Sequence, residues 1–261
     1  MHLLFAHGKR PSRAALREFT EAQRAVSLSH DPSDDTPLHL VSADGTDLRE
    51  TGAVDTKVED IVWIELLRDG LTFDLHGLLP GKACAFPAIE HRFDLEETPG
   101  PARFEALLLT PGQHLTGGQR TMPVVKGMAA LARDLIHHFE DLKAVVWAPS
   151  RAAIGQRFFE STSTAWLEGG PFPALGLTAF KETIDGAIQS VGLDFWLDQE
   201  LRIEPPLSSD KVAATRLGVR LVNQLVLVGG IEGSERVIAP DGSRLVMRPS
   251  RNGKFIRVWR E

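Results

Sequence analysis

The residue types most able to do chemistry fall into four groups, two of which depend on hairpin register. Asp69-Gly70, between the alternating runs Asp60 to Leu67 and Leu71 to Leu79, is a strong two-residue turn signal. A two-residue or four-residue loop there sets Leu67 opposite Thr72, Glu65 opposite Asp74 and Trp63 opposite His76, all on one face. Opposed carboxylates repel unless a proton, a cation or an arginine intervenes, and enzymes use the arrangement to separate two carboxyl pKa values. Glu65, Asp74 and His76 are therefore the catalytic candidates of a hydrolase or metal-assisted enzyme. The plainer reading is an exposed sheet face or a salt bridge.

Near the other end of the sequence, Asn252-Gly253 read as a type I′ turn puts Arg248 opposite Arg257 and Val246 opposite Trp259. Two guanidiniums then share a face with Phe255 and Trp259, and their repulsion calls for a bound anion or an acidic side chain, Glu65 or Asp74 being one option within the fold. Arg244, Arg248, Arg251, Lys254, Arg257 and Arg260 crowd the final 18 residues of a chain whose formal net charge is -6. This charge asymmetry suits an acidic protein partner or a small anionic ligand, whereas a plain edge hairpin would use the same charges against aggregation.

The third group is the connection Gly112 to Thr121, which precedes a helix whose N-terminal amides can hold an anion. Its first two glycines have phosphate-loop spacing, but Gly118 replaces the lysine that must reach the β and γ phosphates. Gly117, Gly118 and Arg120 remain anion-binding candidates, beside the reading of a turn leading to an N-cap at Thr121. The fourth group lies on the predicted helix Met122 to Phe139. Val124, Met128, Leu131, Leu135 and Phe139 form its core stripe, and Asp134, His137, His138 and Asp141 cluster on the other side. Asp134 and His138, at i and i+4, are the alternative metal pair, although a solvated face needs no metal.

Other chemistries lack their residues. A single cysteine, Cys84, rules out an internal disulfide and a Cys-rich zinc module. The sequence has no Gly-x-Ser-x-Gly elbow, no His-Glu-x-x-His and no dinucleotide glycine fingerprint. With 29 basic against 35 acidic side chains, general nucleic-acid binding is disfavoured. The most apolar long window, Val124 to Ile136, is broken by Lys126, Arg133 and Asp134, and the opening run Leu3 to Ala6 precedes its positive charges, the reverse of a secretory signal. The expectation is a cytoplasmic protein with no membrane partner and no cofactor.

The elements that must position these groups read as follows. Strand His2 to Ala6, helix Ser12 to Arg24 and strand Ala25 to Ser29 lead into a polar loop, Asp31 to Pro37, and then the Asp69-Gly70 hairpin. Pro80 to Pro101 holds four prolines and two glycines and marks a boundary, giving an N-terminal region 1–100 and a C-terminal region 101–261, if the two do not form one continuous domain. Beyond it the pattern predicts strand Arg103 to Leu109, helix Met122 to Phe139, strand Ala144 to Ala148 and a helix from Ser150 to about Thr162. Strands Ala174 to Phe180, Ala187 to Leu197 and Glu200 to Ile203 follow, then helix Ser209 to Val228 capped by Gly229-Gly230 and a closing meander. This grammar predicts an α+β fold, with largely antiparallel sheets carrying helices on one face and a ferredoxin-like arrangement in the second half.

Phe104, the strand-helix-strand after it, Ser190-Val191-Gly192-Leu193, Glu200-Leu201 and the following helix and glycine hairpin resemble the bacterial domain of unknown function family numbered 4261, over residues 104–249. The segment Phe195-Trp196 with Asp198-Gln199 departs from the glycine-containing connection of that pattern. The resemblance implies a bacterial domain with no assigned reaction, and so no catalytic residues to carry over. Together these readings favour a noncatalytic domain that binds a protein partner or a small anionic ligand.

Overall fold

Two sheets built from alternating apolar strands organise the chain, whose computed structural model describes residues 1–34, 61–239 and 241–261. The first sheet runs β2 (Val26–His30), β3 (Val62–Arg68), β4 (Leu71–Leu78), β6 (Phe104–Pro111), β1 (His2–Ala6), β7 (Leu142–Trp147), β8 (Ala152–Gly155) and β5 (His91–Phe93). Among the described residues only its β5–β8 pair is parallel. The second runs β9 (Ala179–Glu182), β10 (Ile188–Val191), β11 (Glu200–Ile203), β14 (Phe255–Arg260), β13 (Arg244–Pro249) and β12 (Glu235–Ile238), with β11 and β14 parallel. Helices α1 (Arg13–Ala22), α2 (Met122–His138), α3 (Gln156–Leu167) and α6 (Lys211–Val228) join two single turns, α4 (Ala174–Leu177) and α5 (Asp194–Leu197). The class is α+β.

Local chemistry explains the element ends. Ser12 caps α1 by accepting from the Ala15 amide, Asp210 caps α6 by accepting from the Val212 and Ala213 amides, and Gly229 stops α6 in the left-handed region. In β3 and β4 the buried Ile64, Leu66, Phe73 and Leu75 alternate with Glu65 and Asp74, so one face meets the helices and the other carries the carboxylates. The helix-side faces of both sheets share one apolar core, in which Leu3, Phe73, Leu131 and Trp147 are continuous with Leu201, Leu221 and Ile256. Behind the first sheet, Phe86, Ile89 and Leu95 cover a second cluster of Leu4, Ala106, Ala144, Val146 and Ala153.

Several sequence expectations need correction. The proline-rich stretch does not separate two sheets: it packs on the first, and β6, β7 and β8 from beyond residue 100 complete the same sheet as β1 to β4. The second half also departs from a ferredoxin-like order, because its six-stranded sheet is two three-stranded meanders joined along the parallel β11–β14 pair, with α6 as the connection. Residues 150–155 are not helical. Arg151 turns with φ 50°, and the buried run Ala152–Gly155 pairs with β7, a tertiary demand that overrides the helix preference of its alanines. The strand expected to run to Leu197 stops at Val191 because Gly192 adopts φ 88°. Of the polar loop Asp31 to Pro37, the part beyond Asp34 lies outside the described residues, as does Asp60; Pro32–Asp34 forms a short 3-10 turn.

Candidate functional site

The open face of the second sheet, opposite α6, carries Arg248 and Arg257 of the basic residues singled out above and adds Lys181 and Arg202. Register puts Lys181 beside Gln189, Gln189 beside Arg202, Arg202 beside Arg257 and Arg257 beside Arg248. Four cations thus lie in one row across β9, β10, β11, β14 and β13. Strands are about 4.8 Å apart, so the row is roughly 19 Å long. Lys181 and Arg248 are exposed, while Arg202, Arg257, Phe255 and Trp259 are half-buried.

The predicted opposition of Arg248 and Arg257 is present, although the turn that makes it is not type I′. Gly253 has positive φ and Asn252 does not, and Ser250 pairs with Phe255 across a four-residue loop, which keeps the same register as a two-residue one. The internal counter-charge is neither Glu65 nor Asp74. It is Glu204, a side chain only 6% exposed that accepts from Nε of Arg202 at 2.9 Å and from Nε of Arg257. That hydrogen bond raises the Arg257 pKa above its ordinary value. Arg257 also lies 5.0 Å from the Trp259 ring centroid. Arg248 gives Nε to Ser234 Oγ at 3.2 Å and has no carboxylate among the described residues.

At the end of this face that carries Gln189 and Phe255 opens a cleft of about 610 Å³, lined also by Arg120, Pro149, Asp194, Phe195, Asp198, Glu200 and Lys254. Arg120 and Phe255, expected at separate sites, meet here. Arg120 does not turn back to Gly117 and Gly118. It donates to the carbonyls of Asp194 and Phe195, both at 2.6 Å, and pairs with Asp198 at 2.9 Å, so it pins the C-terminal end of α5. Thr121 stands at the N-cap position of α2, but its hydroxyl donates to Gly118 O rather than accepting a helix amide. Gly117, at φ 88°, and Gly118 form the turn itself.

Glu200 was not foreseen as a site residue. Its carboxylate accepts from Ser190 Oγ, from the Gly192 amide at 2.7 Å and from the Leu193 amide at 3.3 Å, while Ser190 Oγ accepts from the Leu201 amide. The short motif residues Ser190, Gly192, Leu193, Glu200 and Leu201 are therefore one hydrogen-bond network. Burial raises the Glu200 pKa, and the neighbouring Asp194 carboxyl adds to the shift against the donors that lower it. Gly192 must be glycine, since a Cβ there would stand 2.7 Å from the Ser150 amide nitrogen. The tryptophans are less dispersed than their sequence positions suggest: Trp196 of α5 packs on Trp147, Trp166 and Phe172, which seats the cleft wall in the core.

The first sheet presents the other candidate. Glu65 stands opposite Asp74 and Trp63 opposite His76, as the turn predicts, and Asp69 and Gly70 both have positive φ. A bulge after Leu28 brings His30 opposite Glu65. His76 and His30 both pack on Trp63, at 5.6 and 5.7 Å between ring centroids. Burial raises the Asp74 pKa and the Glu65 charge adds to it, while His76, His114 and His30 oppose. The Gly112 backbone closes over this face, because a Cβ there would lie 2.3 Å from Thr72 Oγ1 and 3.2 Å from Glu65 Oε2. His114 of the same loop meets Thr72 Oγ1 at 2.7 Å.

The alternative metal pair does not present itself as one. Asp134 is buried, not solvated, and its oxygens face Arg68 and Arg133. His138 packs its ring against Phe19 and Phe139. Among the described residues no three His, Cys, Asp or Glu side chains gather as metal ligands, and no helix is long and apolar enough to cross a membrane. Comparison with protein-family models, with curated proteins and with solved structures finds no match.

Proposed function

We propose that this protein is a noncatalytic binding protein that docks an acidic partner, a protein segment in preference to a small anionic ligand, on the open face of its second sheet. The observation that carries the reading is the row Lys181, Gln189, Arg202, Arg257, Arg248, in which four cations face two carboxylates, Glu204 and Asp185. The excess of positive charge stands on a chain that is acidic as a whole, which orients an approaching acidic partner. Small-molecule sites are concave, whereas the row of cations runs along a sheet surface beside the cleft, so an extended segment fits it better. Titrating a labelled glutamate-rich peptide against the full chain tests the proposal. Binding should weaken with salt and be lost in Arg248→Glu; salt-independent binding, or affinity unchanged in the variant, overturns it.

A second reading, a hydrolase or metal-assisted enzyme on Glu65, Asp74 and His76, is favoured by one observation: His30 and His114 join the predicted trio, and the Asp74 carboxyl is held in its protonated form to higher pH than usual. A carboxyl with a raised pKa suits general acid work. Loss of a measured hydrolytic activity in Asp74→Asn and in Glu65→Gln would support it, and activity unchanged in both would remove it.

A further inference from the structure

Resting on the acidic-partner reading, the geometry of Arg248 and Arg257 points to a phosphorylated side chain of a protein partner as the group this face recognises. Each guanidinium is anchored through Nε alone, Arg257 to the buried Glu204 and Arg248 to Ser234 Oγ. Among the described residues no acceptor occupies the terminal amino groups of either side chain. Two guanidinium forks on directly opposed residues of an antiparallel pair are thus held by their inner edges and left open at their outer ones. Cross-strand neighbours lie about 5 Å apart at Cβ; the Nε anchors lean Arg257 toward β11 and Arg248 toward β12, and a tetrahedral anion bound between the two strands would draw both forks onto it.

The chemistry selects phosphate over carboxylate. A carboxylate has two oxygens and satisfies one fork, whereas a phosphate monoester offers three strong acceptor oxygens and about two negative charges, enough for both. The charge of the row agrees, because four cations against Glu204 and Asp185 leave two positive charges uncompensated. Glu204 supplies the preorganisation: it fixes Arg257 without reaching its outer edge, and Trp259 supports the guanidinium plane. The cleft beside Gln189 and Phe255 then gives room for a neighbouring side chain of the bound segment.

The test is a fluorescence-anisotropy titration of the full chain with three degenerate peptide libraries that differ at one central position, phosphoserine, glutamate or serine. The phosphoserine library should bind at least about tenfold more tightly than the glutamate library, a difference of about 1.4 kcal/mol. That advantage should vanish in Arg248→Lys and in Arg257→Lys, which keep the charge and lose the fork. The exposed Arg248 variant guards against a folding defect at Arg257, and melting temperature is read for both. Equal affinity for phosphoserine and glutamate overturns the phosphate inference and leaves the acidic-partner reading standing. Failure of every acidic library overturns both. Tighter binding of glucose 6-phosphate or of a single-stranded oligonucleotide than of the phosphopeptides, lost in the same variants, overturns the assignment to a protein partner.

Discussion

Replacing Asp134 by alanine should strand the Arg68 guanidinium in the core and cost about 3 kcal/mol of stability. The two side chains are 8% and 11% exposed, and Arg68 reaches from β3 to the Asp134 carboxylate on α2. Removing one partner of a buried pair costs about 3 to 5 kcal/mol. Part is recovered, because Asp69 lies 3.3 Å from Arg68 Nε, but that carboxylate is 69% exposed and such contacts contribute less than about 1 kcal/mol. Urea unfolding should show a lower midpoint with an unchanged slope, and melting should fall by about 6 to 12 °C at this chain length. Removing both charges, as Arg68→Met with Asp134→Leu, should restore most of the lost stability, since only Arg133, which is 21% exposed, is then left without the Asp134 carboxylate. A single variant that loses less than about 1 kcal/mol would refute the argument. A melting temperature raised by zinc in the wild type and not in Asp134→Ala would return Asp134 to the metal reading.

Three further outcomes follow from the same geometry. Gly192→Ala, which combines φ 88° with a Cβ 2.7 Å from Ser150, should destabilise by about 3 kcal/mol in urea unfolding. Asp74 has a raised folded pKa, so the native state holds its proton more tightly than the unfolded chain does, and stability falls as pH rises from the ordinary aspartate range through the folded value. Asp74→Asn should therefore flatten the stability profile across that window and gain about 0.5 kcal/mol at neutral pH by ending the repulsion with Glu65; a profile unchanged from wild type contradicts this. Glu204→Gln should lower stability by about 2 kcal/mol, discounted for the 42% exposure of Arg257, and should also weaken acidic-peptide binding although it removes a negative charge, because Arg257 loses its anchor.

Local signals carried the parts of the fold that depend on neighbours in sequence. The Asp69-Gly70 turn determined the pairing of Glu65 with Asp74, and the even-length loop around Asn252-Gly253 determined that of Arg248 with Arg257, even though its turn type differs. What was hidden depends on long-range closure. Nothing near Arg257 in sequence marks Glu204, 53 residues away, as its counter-ion, and nothing near β1 announces that β6 and β7 flank it. The burial of Asp134 was missed because its partner, Arg68, sits 66 residues earlier, and an aspartate between arginine and histidines reads as surface until that contact is known. Glu200 could have been suspected from its place after Ser190-Val191-Gly192-Leu193, but only the folded turn aims those donors at one carboxylate.

The central claim is that the second sheet, not the first, carries the binding surface, and a backbone amide chemical-shift titration with the glutamate-rich peptide tests it most directly. Shifts should concentrate on Glu200–Ile203, Arg244–Pro249 and Phe255–Arg260 and disappear in Arg248→Glu. Shifts confined to Val62–Arg68 and Leu71–Leu78, around Glu65 and Asp74, or unaltered by the variant, would contradict it.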